Sequence, residues 1–218
     1  MAQRSKQTAA RGTVRNGRAA EGGRQGEVLA LAAGLFASNG YSATTVRDIA
    51  DAAGILSGSL YHHFASKEAM ANAILTAFLD EILGRYDEIV AADMPARETF
   101  EALATASLLA MERHQAAIVI YQNDGRHLAL LENFAYLRDA GERFEQAWVG
   151  VLQRGIEEGE FRRSLDPRLT YRFIRATLWT VARWYRPGGP QSAQEIADQY
   201  LSILLDGIAR GKKKKTKE

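Results

Sequence analysis

The 218-residue sequence contains no cysteine. Disulfides and thiolate chemistry are therefore excluded, and nothing supports an oxidising compartment. No apolar run approaches the ~18 residues that a membrane-spanning helix requires, and the N-terminus lacks the apolar stretch of a secretory signal peptide. These absences predict a cytoplasmic protein that has no membrane partner.

Sequence motifs of common enzyme classes are absent as well. There is no Gly-x-Ser-x-Gly elbow and no phosphate-binding loop, and none of the four histidines belongs to a His-Glu-x-x-His arrangement. His62 and His63 are adjacent, and adjacent side chains point in different directions on a helix, so we expect no metal site there. The sequence therefore predicts that the protein is not an enzyme and has no catalytic residues, metal or cofactor.

The net charge is only +2, but the charges are unevenly distributed. Residues 1–26 carry six basic side chains and one acidic side chain, and residues 211–218 carry five lysines and one glutamate. An acidic body between two basic ends suits a protein that meets a polyanion. The alternative is that the ends only keep the protein soluble. We expect 1–26 to be a disordered basic arm, because it has too few large apolar residues to form a core.

The remaining sequence has helical rather than strand periodicity. From position 27, apolar residues recur at the spacing of one helix face: Val28, Leu31, Ala32, Leu35 and Phe36. No stretch alternates convincingly as a strand, so we predict an all-α protein of about nine helices. Three of them lie at about 96–113, 115–122 and 127–158, and another runs from 166 to 186. The predicted domains are 27–84 and 85–210, followed by a Lys-rich tail at 211–218.

The stretch from Thr44 to Glu68 reads TTVRDIADAAGILSGSLYHHFASKE. Thr44 and Thr45 offer an N-cap to a short helix, Gly54 suits a turn that needs a positive φ, and Leu56–Phe64 forms a second short helix. Two short helices joined by a glycine turn form the helix-turn-helix pattern, whose second helix fits the major groove of DNA. The predicted DNA-binding residues are Thr44, Thr45, Arg47, Ser57, Gly58, Ser59, Tyr61, His62 and Lys67.

This stretch resembles the TetR family of bacterial transcriptional repressors along its whole length. The most recognisable phrase is Leu60–Phe64 with Ser66, Lys67 and Glu68 behind it. The resemblance implies an N-terminal three-helix DNA-binding domain and a C-terminal helical domain for ligand binding and dimerisation. It also implies a homodimer on a palindromic double-stranded operator, associated with the bacterial nucleoid, and a small-molecule effector that swings the fourth helix.

A second notable pattern lies in the predicted helix from Pro167 to Arg186. At 100° per residue, four arginines and a tryptophan fall within about 80° of arc: Arg172, Arg175, Trp179, Arg183 and Arg186. Arginine forks bind phosphate and carboxylate, and tryptophan offers a flat face to a ring. One interpretation is a pocket for a polyanionic effector with a flat part, such as an acyl-coenzyme A. The other is an exposed face whose arginines pair with Glu157, Glu158, Glu160 or Asp166.

Four further phrases resemble one branch of the family, which represses cholesterol-ring catabolism: Val119–Gln122, Gly155–Phe161, Tyr171–Arg175 and Ala182–Pro190. That resemblance implies a coenzyme A thioester of a steroid-ring fragment as effector. The predicted effector-binding residues are Arg172, Arg175, Trp179 and Arg183, with Tyr121, Gln122 and Trp148 as further candidates that also suit core positions.

Two other functions fit parts of the sequence. The chain could be a TetR-type repressor of an unrelated regulon with a hydrophobic effector, or a non-specific DNA-binding protein driven by its basic ends. A repressor keeps its operator against excess random DNA, whereas a tail-driven binder does not.

Overall fold

The structure is a computed structural model, and it describes the backbone of residues 6–208 and the side chains of residues 23–205. Within that range the chain forms nine α-helices, two short 3-10 helices and no β-strand. The predicted all-α fold of about nine helices is therefore confirmed. None of the helices described is long and apolar enough to cross a membrane. The lysine tail at 211–218 lies outside the described residues.

The chain divides into two compact units between Ile74 and Leu75. This boundary falls inside the fourth helix and precedes the boundary predicted after residue 84. The first unit contains α1 (Lys6–Asn39), α2 (Val46–Ala53), α3 (Ser57–His63) and the beginning of α4 (Lys67–Ala91).

Residues 6–26 of the predicted disordered arm belong to α1, which begins at Lys6, and residues 1–5 lie outside the described residues. The lack of large apolar residues excludes a core of its own for this segment but does not exclude a helix. The alanines, arginines and glutamines of this segment favour a helix that extends backward from Val28, whereas its five glycines oppose one.

Both short helices of the first unit are held by local signals in the sequence. Thr45 and Asp48 form a complete capping box at the start of α2. Gly54 ends α2 with φ 64°, a left-handed conformation that glycine adopts without a steric penalty. The core of this unit contains fully buried residues from all four helices: Val28, Ala32, Phe36, Ile49, Ala50, Leu60, Met70 and Ala71.

The second unit contains the rest of α4 and five further helices. These are α5 (Ala96–Leu109), α6 (Met111–Leu128), α7 (Tyr136–Glu157), α8 (Pro167–Thr180) and α9 (Ala193–Ile208), with 3-10 helices at Glu132–Phe134 and Val181–Arg183. Its centre is an aromatic cluster in which the rings of Phe78, Tyr86, Phe144, Trp148 and Trp179 meet in edge-to-face pairs.

Several helix boundaries in the second unit differ from the predicted ones, and α5 ends at Leu109 rather than near residue 113. α6 begins at Met111 and has a kink at His114 (φ −120°, ψ 19°), and residues 129–135 separate it from α7. The helix predicted from 166 to 186 ends at Thr180 and continues as a 3-10 turn. In this 3-10 turn the carbonyl of Ala182 accepts a hydrogen bond from the side-chain amide of Gln115 at 2.9 Å, so it is satisfied outside the α-helical ladder.

Candidate functional site

α2 and α3 present one exposed polar surface, which we call the reading face. It consists of Thr45, Arg47, Gly58, Ser59, Tyr61 and His62, with Ser57 half-buried beside them. Leu60 points the other way and is fully buried. A Cβ atom added at Gly58 would meet no heavy atom within 4 Å, so nothing on the protein side blocks a close approach. Seven of the nine predicted DNA-binding residues therefore share one accessible surface.

Thr45 and Asp48 fix the start of α2 on this face. The Asp48 carboxylate accepts hydrogen bonds from the Thr45 amide and hydroxyl, each at 2.7 Å. These hydrogen bonds, the backbone one first, lower the pKa of Asp48 below its ordinary value. The ionised carboxylate thus holds the N-terminal turn of α2 in place.

Thr44 does not belong to the reading face, contrary to prediction. Its side chain is fully buried, and its hydroxyl donates to the carbonyl of Gly40 at 2.8 Å. The sequence offers two adjacent threonines before α2, and only the packing beneath the α1–α2 loop decides which of them faces solvent. Thr45 is the exposed one.

Lys67 also has a different role from the predicted one. Its ammonium donates to the carbonyls of Tyr41 and Thr44, both at 2.9 Å, and lies 4.3 Å from the centre of the Tyr41 ring. The charge is therefore turned toward the loop that precedes α2. Lys67 stabilises the position of that loop, a cation–π and hydrogen-bonding role that sequence spacing does not reveal.

Arg24 belongs to the segment predicted to be a disordered arm, yet it contacts α2. Its guanidinium donates to the Ala53 carbonyl at 2.7 Å and to the Glu27 carboxylate at 2.8 Å. A cation at the C-terminal end of α2 also complements the negative end of the helix dipole. This part of the segment is therefore integrated with the first unit.

The second unit contains an open groove of about 700 Å³, which we call the arginine groove. Five of the seven predicted effector-binding residues line it: Arg172, Arg175 and Trp179 on α8, Arg183 on the 3-10 turn that follows, and Gln122 on α6. Its lining is Gln122, Arg126, Glu145, Arg168, Tyr171, Arg172, Arg175, Ala176, Trp179, Thr180 and Arg183. Five arginines thus face one carboxylate, and the groove is strongly cationic.

Sequence reasoning missed Arg126 and Arg168. Arg168 precedes Arg172 by one turn of α8, so the same helical period contained the signal. Arg126 lies on α6, and no pattern in one sequence shows which face of α6 lies beside α8. Arg168 approaches Glu145 at 3.9 Å, whereas Arg126 forms no ion pair within the part of the chain that the structure describes.

The central arginines are not neutralised by the acidic residues proposed as their partners. Among the described residues, no carboxylate lies within ion-pair distance of Arg172, Arg175 or Arg183. Glu158 instead pairs with Arg154 at 3.5 Å. Asp166 caps α8 by accepting from the Leu169 amide at 2.8 Å. The salt-bridged alternative therefore finds no support in the geometry.

Trp179 and Gln122 both line the groove, although Trp179 is only 6% exposed and so offers little of the predicted flat face. Gln122 donates its side-chain amide to the Trp179 carbonyl at 2.5 Å and thereby joins α6 to the end of α8. The Trp179 ring packs against Phe78 and Phe144, with centroid separations of 6.0 and 5.8 Å. Arg183 is oriented by Asn123, whose side-chain oxygen it contacts at 2.7 Å.

Two predicted effector-binding residues lie outside the groove lining. Trp148 is 2% exposed and donates to the Tyr86 hydroxyl at 3.0 Å, so it is a core residue. Tyr121 is half-buried, with its ring 6.2 Å from Phe78 and 6.1 Å from Phe144. Burial raises the pKa of Tyr121, and the charge of Arg175 opposes that rise.

Comparison with known proteins places each unit in the same family. Residues 28–74 match the family described as "Bacterial regulatory proteins, tetR family", and residues 93–208 match "Tetracyclin repressor-like, C-terminal domain". The HTH-type transcriptional repressor KstR2 of Rhodococcus jostii (strain RHA1) is 52% identical over 187 residues, which are 86% of this chain and 92% of that protein.

Solved structures of TetR family regulators have a similar fold. The ketosteroid transcriptional regulator KstR2 of Mycobacterium tuberculosis superimposes with a TM-score of 0.82 at 53% identity, covering 86% of this chain and 95% of that one. The TetR family regulator PfmR of Thermus thermophilus has a TM-score of 0.70 at 32% identity, covering 84% and 99% of the two chains.

Proposed function

Because the chain belongs to the TetR family of bacterial transcriptional regulators, we propose that it represses transcription from a palindromic operator as a homodimer and is released by a small anionic effector. The relatives with about half of their residues in common are named transcriptional repressors rather than enzymes. The arginine groove around Trp179 is the single observation that supports the anionic effector.

The reading face supports the DNA-binding half. α3 is short and exposes small or hydrogen-bonding side chains, which lets its backbone approach base edges in the major groove. Tyr61 and His62 have the reach and the donors for phosphate oxygens. Two copies of α3 related by a two-fold axis would lie about 34–36 Å apart to enter successive major grooves.

Exposed apolar residues on α8 and beyond it support the homodimer. Phe173 is 65% exposed and Trp184 is 56% exposed, although large aromatic side chains at such positions normally pack. Ile203 on α9 is also exposed. The opposite side of α8 is buried in its own chain, so a second copy is the proposed cover for this strip. A dimer through these helices would provide the two-fold symmetry that a palindrome needs.

The chemistry of the groove favours an acyl-coenzyme A as effector. Coenzyme A carries a diphosphate and a 3′-phosphate, which suit several guanidinium groups without carboxylate partners. Tyr171 and Trp179, the aromatic residues of the lining, are each only 6% exposed, so the guanidinium groups rather than ring stacking would provide most of the binding. The Mycobacterium tuberculosis relative is named a ketosteroid regulator. We therefore propose the thioester of a steroid-ring catabolite rather than an uncharged hydrophobic effector.

Contacts within the second unit offer a route from effector to DNA. Phe78 and Glu81 lie one turn apart on α4; Phe78 touches the Trp179 ring, and Glu81 binds His114 at 2.9 Å and Arg113, both on α6. An effector seated against Trp179 and α6 would shift α4, which continues into the first unit. The effector can shift the equilibrium between the DNA-binding and released states only by the difference in its binding free energy for those two states.

Operator competition tests the whole proposal. The protein should retain a DNA fragment from its own promoter region against a large excess of random DNA, and a steroid-ring acyl-coenzyme A should release it. The free steroid acid and free coenzyme A, added at the same concentration, should release much less. Loss of the fragment to random DNA would contradict repression, and release by the free acid alone would contradict the thioester.

A further inference from the structure

We propose that Leu56 reads thymine in the operator by placing its side chain against the C5-methyl group in the major groove. The inference rests on the proposed function, because it requires α3 to enter that groove. Leu56 immediately precedes α3 on extended backbone (φ −70°, ψ 143°) and is 79% exposed. It is among the most exposed large apolar residues that the structure describes.

The position of Leu56 makes this exposure informative. It is the N-cap of α3, where serine, threonine, aspartate or asparagine normally accepts a hydrogen bond from the first turn. Leu56 makes no such bond, whereas Thr45 caps α2 fully. The Leu56 side chain therefore gives the start of α3 no capping bond and buries little apolar surface in its own chain. Its side chain is available for a contact outside the protein.

The surroundings indicate what that contact is. Gly58 and Ser59 are small and exposed, so the DNA can approach the beginning of α3 closely. The other exposed side chains of α3 are polar and suit phosphates or base hydrogen-bonding groups. Thymine is the one base that presents a methyl group in the major groove, where apolar side chains recognise it. Leu56 is the apolar neighbour of the reading face and therefore matches thymine.

Replacing thymine by deoxyuridine tests the contact, because it removes only the methyl group. The operator is first selected from random DNA with the full chain, and each thymine is then replaced singly. We expect one position in each half-site to weaken wild-type binding about fourfold, the effect of one apolar carbon group. In Leu56→Ala the same replacement should have no effect. Leu130→Ala is the matched control, since Leu130 is 81% exposed in the second unit, and it should retain the fourfold loss.

Stability measurements separate this role from a structural one. Leu56→Asn supplies a capping oxygen at similar size, so its Tm should rise while its preference for thymine over uracil disappears. A wild-type protein that is insensitive to uracil at every thymine, or an undiminished uracil effect in Leu56→Ala, overturns the contact and leaves the repressor proposal standing. If the wild type selects no sequence from random DNA, the repressor proposal fails and the Leu56 contact falls with it.

Discussion

The ring of Phe78 on α4 stands perpendicular to the ring of Trp179 on α8, with 6.0 Å between their centroids. Phe78 is fully buried, and Trp179 is one of the residues that line the arginine groove. This pair is therefore a direct contact between the proposed effector site and the helix that continues into the DNA-binding unit. If the pair transmits the signal, shortening Phe78 should weaken transmission more than binding.

Phe78→Leu should uncouple effector binding from operator release. The effector should still bind, because Phe78 does not line the groove. Release of DNA, however, should require an effector concentration at least about fivefold higher than for wild type. Calorimetry measures the binding, and fluorescence anisotropy of labelled operator measures the release. Phe161→Leu is a matched control, since Phe161 is equally buried but packs on Phe100 instead. Equal losses in both variants would attribute the effect to general destabilisation.

Arg175→Ala and Arg183→Ala should each weaken binding of the effector by about ten- to a hundredfold, which is the contribution of a charge-assisted hydrogen bond to affinity. Operator binding without effector should stay near wild type, because neither residue belongs to the first unit. Titration of the operator complex with the acyl-coenzyme A measures both properties. Arg163→Ala removes an exposed arginine outside the groove and should change neither. Parallel loss of operator binding and effector response would refute the groove as an effector site.

If the proposed dimer forms through α8 and α9, Phe173→Glu should convert it to a monomer and thereby abolish tight operator binding. A carboxylate at the centre of an apolar contact would be desolvated without a partner. Analytical ultracentrifugation gives the oligomeric state, and circular dichroism confirms that the helices persist. Leu130→Glu places the same charge on a residue that is exposed outside α8 and α9, and it should remain dimeric. A dimeric Phe173→Glu protein would locate the interface elsewhere.

The comparison of sequence with structure shows where helical periodicity succeeds and fails. Arg172, Arg175 and Trp179 could be predicted to lie together because they recur along one helix at the helical period. Arg126 was missed because the sequence does not show which face of α6 lies beside α8. Thr44 and Lys67 have the right chemistry and position for DNA contact, but the packing of the α1–α2 loop turns both inward. Burial depends on tertiary contacts, which residue type and spacing do not specify.

The pH dependence of stability should change when Glu81 is replaced by glutamine. The hydrogen bond with His114, followed by that with Arg113, lowers the pKa of Glu81. A lowered folded pKa contributes stability above the unfolded value of about 4.3, and this contribution is lost as the pH falls through the folded pKa. Glu81→Gln should therefore be less stable than wild type at pH 7, and the difference should shrink below about pH 4. Urea unfolding at several pH values measures it, and a constant difference would contradict the pairing.

Two glycines of α7 should respond in opposite ways to alanine. A Cβ at Gly155 would overlap the Phe161 ring, which is buried and packed on Phe100, so the ring cannot simply move aside. Gly155→Ala should lower the free energy of unfolding by about 1–3 kcal/mol through overpacking. At Gly150 the added Cβ meets no heavy atom within 4 Å, and alanine favours a helix interior by about 1 kcal/mol over glycine. Gly150→Ala should therefore be neutral or stabilising. Chemical denaturation of both variants measures the contrast, and a Gly155→Ala protein as stable as wild type would show that Phe161 has room to shift.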